Sequence, residues 1–173
     1  MIAYGHLHCL TRQRHGVPPQ PRRFFLKIHE HLIAPGNGFV QLARWEGRWI
    51  AGAVYLHFGR NALYKFGASD MAFQHLRANN LLMWEAIRHY RQMGMSQFSF
   101  GRTDPDNQGL LQFKRGWGAE EAIRHYYRIG IRKPVRAAMA GHGPGSGWSG
   151  KVLQRLPISM LRLMGALAYR HMG

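Results

Sequence analysis

Apolar positions alternate through the middle of the chain and recur at helical spacing on either side. Phe39 to Trp45 alternates, Glu46-Gly47 supplies a turn, and Arg48 to Phe58 continues the strand pattern. Gly59-Arg60-Asn61 turns again, into Ala62 to Gly67. The pattern predicts an antiparallel meander, one face of which needs helices to cover it. Before it, RRFFLKIHEHLI (22–33) predicts a helix with Phe24, Phe25, Ile28 and Leu32 on one face, broken by APGNG. After it, Leu76 to Met93 predicts a long helix: Leu81, Leu82, Trp84, Ile87 and Tyr90 form an apolar stripe backed by Glu85, Arg88 and Arg91. Gly94 is the expected C-cap. Then come a short strand (Gln97 to Phe100), the polar loop GRTDPDNQG, a short helix (Gly109 to Trp117) and a last alternating strand (Glu121 to Ile129).

The two ends differ from this middle. Residues 1–21 lack a clear period, and HGVPPQP reads as extended, so an irregular basic leader is expected there. A Gly-rich linker is expected over 134–150, followed by a helix over 151–173, started or kinked at Pro157. At about 100° per residue, Leu153, Leu156, Met160, Leu163, Met164 and Leu167 fall on one side, with Lys151, Arg155, Arg162 and Arg170 roughly opposite. Such a basic amphipathic helix suits an anionic membrane surface, and equally suits docking on protein.

Composition narrows the class. The 173 residues, 46% hydrophobic, suffice for one domain with a real core. No apolar run is long enough to span a bilayer, and the start does not read as an export signal, so a cytoplasmic location is expected. Cys9 is the single cysteine and reads as an ordinary Cys. No zinc spacing, P-loop or nucleophile elbow occurs, and His29 and His31 diverge on a helix, so no metal is expected. The net charge of +16 is uneven: residues 1–29 carry five basic and no acidic side chains, and 131–173 carry seven and none. Basic ends point to an anionic partner such as tRNA or phospholipid headgroups. The 19 Arg against five Lys also fit a GC-rich genome, which leaves the charge without a partner of its own.

Candidate chemistry concentrates in the loops between Phe66 and Arg128. Asp104 and Asp106 read as a base or amine-binding pair, or as turn formers. Arg102 suits a substrate carboxylate, or either Asp. Tyr126 reads as a proton donor or as strand packing. Lys114 alone reads as a snorkelling lysine on the short helix.

The segments ANNLLMWEAIRHYRQMGMSQFSFG, GLLQFKRGWGAE and HYYRIG add a resemblance. Over about Phe39 to Gly130 the chain resembles the second GNAT-like domain of FemAB-type aminoacyl and acyl transferases. The resemblance implies an α/β (α+β) fold: a single GNAT-like domain over 22–133, with a mixed, mostly antiparallel sheet and helices on both faces. It implies an acyl donor in a notch between Ala62–Gly67 and Gln97–Phe100. The amino end of the long helix, near Asn79 and Asn80, would meet the donor's anionic part. The segment Arg77 to Leu82 lacks the glycines of a coenzyme A pyrophosphate loop. The Phe113-Lys114 pair matches the family's Phe-Lys pair, whose lysine is thought to stabilise developing negative charge. With the residues read above, the candidate set is Lys114, Phe113 and Asp104 for catalysis, with Arg102, Asp106, Asn79, Asn80 and Tyr126 binding substrate.

The implied activity moves an acyl or aminoacyl group to an amine of a cell-envelope precursor, of peptidoglycan or exopolysaccharide. No tightly bound cofactor is expected, and the donor is aminoacyl-tRNA or acyl-CoA. Full FemAB-type proteins carry two GNAT-like domains and this chain has room for one. A second such domain or a homodimer partner is therefore expected, with peripheral membrane contact through 151–171. Two other readings stand beside this one: a non-catalytic half-domain binding RNA or membrane through its basic ends, and a coenzyme A N-acetyltransferase.

Overall fold

The computed structural model describes residues 1–123, 125, 127, 129 and 148–169. The chain divides into two compact units, Met1–Gly101 with Pro144–Gly173, and Arg102–Gly143.

The first unit is built on a four-stranded mixed sheet of order β1-β2-β3-β4. β1 (Gly38–Trp45), β2 (Arg48–Phe58) and β3 (Asn61–Ser69) form the expected antiparallel meander, and β4 (Gln97–Ser99) adds parallel to β3. Glu46 and Gly47 both take positive φ (44° and 81°), the two-residue turn that matches strand twist. In β3 one residue, Lys65, is extra: Tyr55 pairs with Tyr64 and Val54 with Phe66.

Helices cover both faces. On one, Tyr4 and Leu7 of α1 (Ile2–Arg14) and Phe25 of α2 (Arg22–Ile28) pack with Val54 and Ala68 in a buried cluster. On the other, α3 (Ala78–Gln92) buries Ala78, Leu82, Met83, Ala86 and Tyr90. Tyr55 fixes α3 to the sheet by donating its hydroxyl to the Leu82 carbonyl, at 3.0 Å.

Several expectations change. Residues 1–21 are not irregular, because α1 fills 2–14. Its buried residues are Tyr4, Leu7, His8, Cys9 and Thr11; Tyr4, Leu7, His8 and Thr11 stand at helical spacing, and two of these four are polar. His8 Nε2 bonds Gln20 Oε1 at 2.6 Å while its buried Nδ1 has no hydrogen-bond partner among the described residues, and Thr11 is satisfied by the Ser69 backbone, whose N–H donates to Oγ1 at 2.9 Å. α2 continues through a π turn, His29–Ile33, completing the predicted helix, although Phe24 and Leu32 are exposed. The long helix begins later than its pattern suggests. A 3-10 turn, Met71–Leu76, is capped by the Asp70 carboxylate, and Arg77 then takes a left-handed conformation before α3 starts. Leu81 and Trp84, expected in the stripe, are half exposed.

The tail is two helices, α5 (Trp148–Arg155) and α6 (Ile158–Ala168), broken at Pro157. They dock on α1: Gln13 Nε2 donates to the Leu156 carbonyl, Gln154 Nε2 to that of Arg14, and Arg12 to the Tyr169 hydroxyl. Leu161 and Gly165 are buried instead of the predicted stripe. A Cβ on Gly165 would stand 2.1 Å from the Pro19 carbonyl oxygen, so only glycine lets the helix approach this closely.

In the second unit, one helix is described, α4 (Gln108–Arg115). The described residues of 121–129 carry no strand, and Ile123, Tyr127 and Ile129 are exposed, contrary to the last strand expected there. The linker predicted over 134–150 lies outside the described residues up to 147, and α5 takes its end.

Candidate functional site

The chemistry-bearing features of the first unit follow from how β3 and β4 pair. Only Asn61, Ala62 and Leu63 of β3 have partners on β4, and β3 runs on to Ser69. From Tyr64 onward β3 has no partner on β4. Gly101, with φ +70°, follows β4 against β3: a Cβ there would stand 3.3 Å from the Tyr64 carbonyl oxygen. Tyr64 folds its ring along the α3 face of β3, with its hydroxyl filling the space a Cβ on Gly67 would need. Burial pushes the Tyr64 hydroxyl up to about 12, so it stays protonated.

The strand end leads into the start of α3. Ser69 is tied to Thr11 of α1, and the Asp70 N–H donates to the Ile50 carbonyl at 2.9 Å. The first turn of α3 holds no acidic residue, and its free N–H groups favour an anion there. Asn79 is half-buried and Asn80 exposed; the Asn80 N–H is already bonded to the Arg77 carbonyl, at 2.9 Å. Both side chains stand in the first turn of α3.

The second unit organises the remaining candidates around α4. Asn107 caps the helix by accepting the Leu110 N–H on Oδ1, at 3.1 Å, and Gln108 Nε2 donates to the Pro105 carbonyl, at 2.8 Å. This holds the polar loop in place. Lys114 is 8% exposed and its Nζ donates to Thr103 Oγ1 at 2.5 Å, with the Arg102 carbonyl at 3.4 Å. Burial pulls the Lys114 pKa below the usual lysine range. So Lys114 is not a snorkelling surface lysine; its ammonium is held inside, on a hydroxyl. Phe113 is half-buried, its ring edge-on to Trp117 at 6.4 Å.

The other predicted residues fare unequally. Arg102 and Asp104 approach to 4.0 Å on the surface, and Asp106 is exposed, its carbonyl accepting the Gln108 N–H. Tyr126 lies outside the described residues. Thr103 is the residue sequence reading missed. It stands 11 positions before Lys114 in a loop whose charged neighbours drew the attention. No group of three metal-ligating side chains forms among the described residues.

Comparison with known proteins decides the family. The family model for the acetyltransferase (GNAT) domain matches residues 3–115. The chain belongs to this GNAT family. The match takes in α1, which carries the first turn of the core.

Curated relatives agree with the FemAB-type resemblance. The lipid II:glycine glycyltransferase of Staphylococcus epidermidis is 32% identical over 79 residues, 42% of this GNAT chain and 19% of the relative. Its Staphylococcus aureus counterpart is 30% identical over the same length. The chain thus spans about a fifth of the relatives it matches. Among solved structures, an aminoglycoside antibiotic 6'-N-acetyltransferase from Acinetobacter baumannii has a TM-score of 0.59 at 16% identity, over 75% of this chain and 91% of that one. The ribosomal-protein-S18-alanine N-acetyltransferase from Escherichia coli has 0.58 at 18%, over 74% and 77%. At such identities these two speak for the fold: α/β, a mixed sheet and helices on both faces.

Proposed function

We propose that this GNAT chain transfers an acyl or aminoacyl group to an amine on a cell-envelope precursor. The observation that carries the reading is the end of β3–β4 pairing at Leu63, ahead of an α3 start free of acidic residues. An activated acyl group would lie along the edge of β3 beyond Leu63, where β4 supplies no partner. The donor's phosphates would face the amino end of α3. The start of α3, Arg77 to Leu82, holds no glycine, which favours an aminoacyl-tRNA donor over a coenzyme A diphosphate pressed against the backbone.

In the reaction, the acceptor nitrogen attacks the acyl carbonyl carbon and an oxyanion forms. A C–N bond is made, the carrier's C–O bond breaks, and the amine proton leaves with the carrier hydroxyl. On the FemAB-type resemblance of its Phe113-Lys114 pair, Lys114 of the second unit is the residue we assign to stabilising developing negative charge, a role its burial supports. Thr103 positions it. The envelope acceptor rests on the glycyltransferase relatives, which are named for lipid II.

The test offers the chain glycyl-tRNA or acetyl-coenzyme A, each with lipid II and with an aminoglycoside, and reads products by mass. The expected result is a glycyl adduct of lipid II that Lys114→Ala lowers by about 100-fold. Acetylated aminoglycoside as the sole product, or full turnover in Lys114→Ala, overturns the reading.

A further inference from the structure

α6 has apolar side chains on two faces, and only one is used by the protein. Leu161, fully buried, and Gly165, against Pro19, face inward. Met160, Leu163, Met164 and Leu167 are 51%, 64%, 40% and 58% exposed. At helical spacing these four lie within one arc of about 100°. Soluble proteins seldom leave such a continuous aliphatic strip uncovered. Just before it, α5 exposes Lys151, Val152 and Arg155.

Charge selects the occupant. The helices of this layer, α1, α2 with its π turn, α5 and α6, carry Arg12, Arg14, Arg22, Arg23, Lys27, Lys151, Arg155 and Arg162 against one acidic residue, Glu30, which pairs with Lys27. A second copy of a chain with net charge +16 would bring like charge to like. RNA would find phosphate partners here, but no aromatic or polar side chain on the outward arc of α6 to meet its bases. An anionic bilayer answers both properties at once, taking aliphatic side chains into its acyl boundary and cations at its headgroups.

We propose that the outward arc of α6, Met160, Leu163, Met164 and Leu167, seats on an anionic phospholipid surface, with Lys151 and Arg155 at the headgroups. The chain then lies on the membrane; no described helix is long and apolar enough to cross it. This inference does not depend on the transferase reading.

The test is flotation of the whole chain with vesicles of phosphatidylglycerol and phosphatidylcholine, and with phosphatidylcholine alone. The wild-type chain binds the anionic vesicles, and added salt weakens binding. Leu163→Glu with Leu167→Glu weakens it at least about tenfold while Tm holds, because both positions are exposed. Leu163→Gln with Leu167→Gln serves the same comparison if the glutamates lower Tm. Four results overturn the proposal: a wild-type chain that ignores anionic vesicles, binding indifferent to these substitutions, a wild-type dimer that they dissociate while vesicle binding persists, or loss of RNA binding in place of vesicle binding.

Discussion

Lys114 Nζ sits 2.5 Å from Thr103 Oγ1, in a unit whose other charged side chains lie at the surface among the described residues. A short charge-assisted bond of this kind fixes where the ammonium points. Thr103→Val removes the hydroxyl and keeps the shape. Under the proposed role, it lowers kcat by about tenfold with little change in KM, and Lys114→Ala lowers kcat by about 100-fold. Steady-state kinetics of both variants check this. Equal losses in KM and none in kcat would assign the pair to binding alone.

Burial makes His8 a source of acid sensitivity. Its pKa falls from 6.5 to about 4, chiefly by desolvation; the Gln20 bond opposes the shift and Arg12 adds to it. The unfolded chain therefore binds a proton between those values that the folded chain refuses. Stability is whole above pH 6.5 and falls as pH drops toward 4, by about 3 kcal/mol from this group. Urea midpoints at pH 7 and 4.5 measure the drop. His8→Leu should flatten it relative to the wild-type chain.

The Tyr55 hydroxyl is buried and donates to the Leu82 carbonyl. Tyr55→Phe leaves the ring packing and removes one bond across the sheet–α3 interface. Loss of about 1 kcal/mol is expected, read as a lower denaturation midpoint with unchanged m-value.

Gly165 is tested by the smallest enlargement. Gly165→Ala brings a methyl against the Pro19 carbonyl, which is backbone and does not swing aside. A cost of about 1–3 kcal/mol follows, along with faster proteolysis at Pro157, where α5 meets α6. Limited proteolysis against Tm separates undocking of the tail from general unfolding.

The meander was legible because strand period and turn chemistry are local: alternation over 39–58 and Glu46-Gly47 suffice. The FemAB-type resemblance likewise rested on contiguous residues. α1 was not legible because half its inward face is polar, and what satisfies Thr11 is 58 positions away. The α3 stripe misled for a related reason. Its contact with the sheet uses Ala78 and Ala86, whose small size lets the helix come close, and leaves larger Leu81 and Trp84 outside. The tail pattern was read one face out, since Gly165 counts for nothing on a hydrophobicity scale and yet marks the closest approach. Of the candidate site, Lys114 was found by resemblance, but its burial on Thr103 needed the folded loop.

The sheet order follows the sequence order, so β1, β2 and β3 each join the neighbour just made. The α1 layer behaves otherwise: Gln13 waits for Leu156, 143 residues later, and Arg12 for Tyr169, 157 later. During synthesis the meander and α3 can therefore assemble early, while α1 keeps its outer side wet until the tail emerges. That asymmetry makes the α1–α6 seam the last to close and, under tension or heat, the first expected to part.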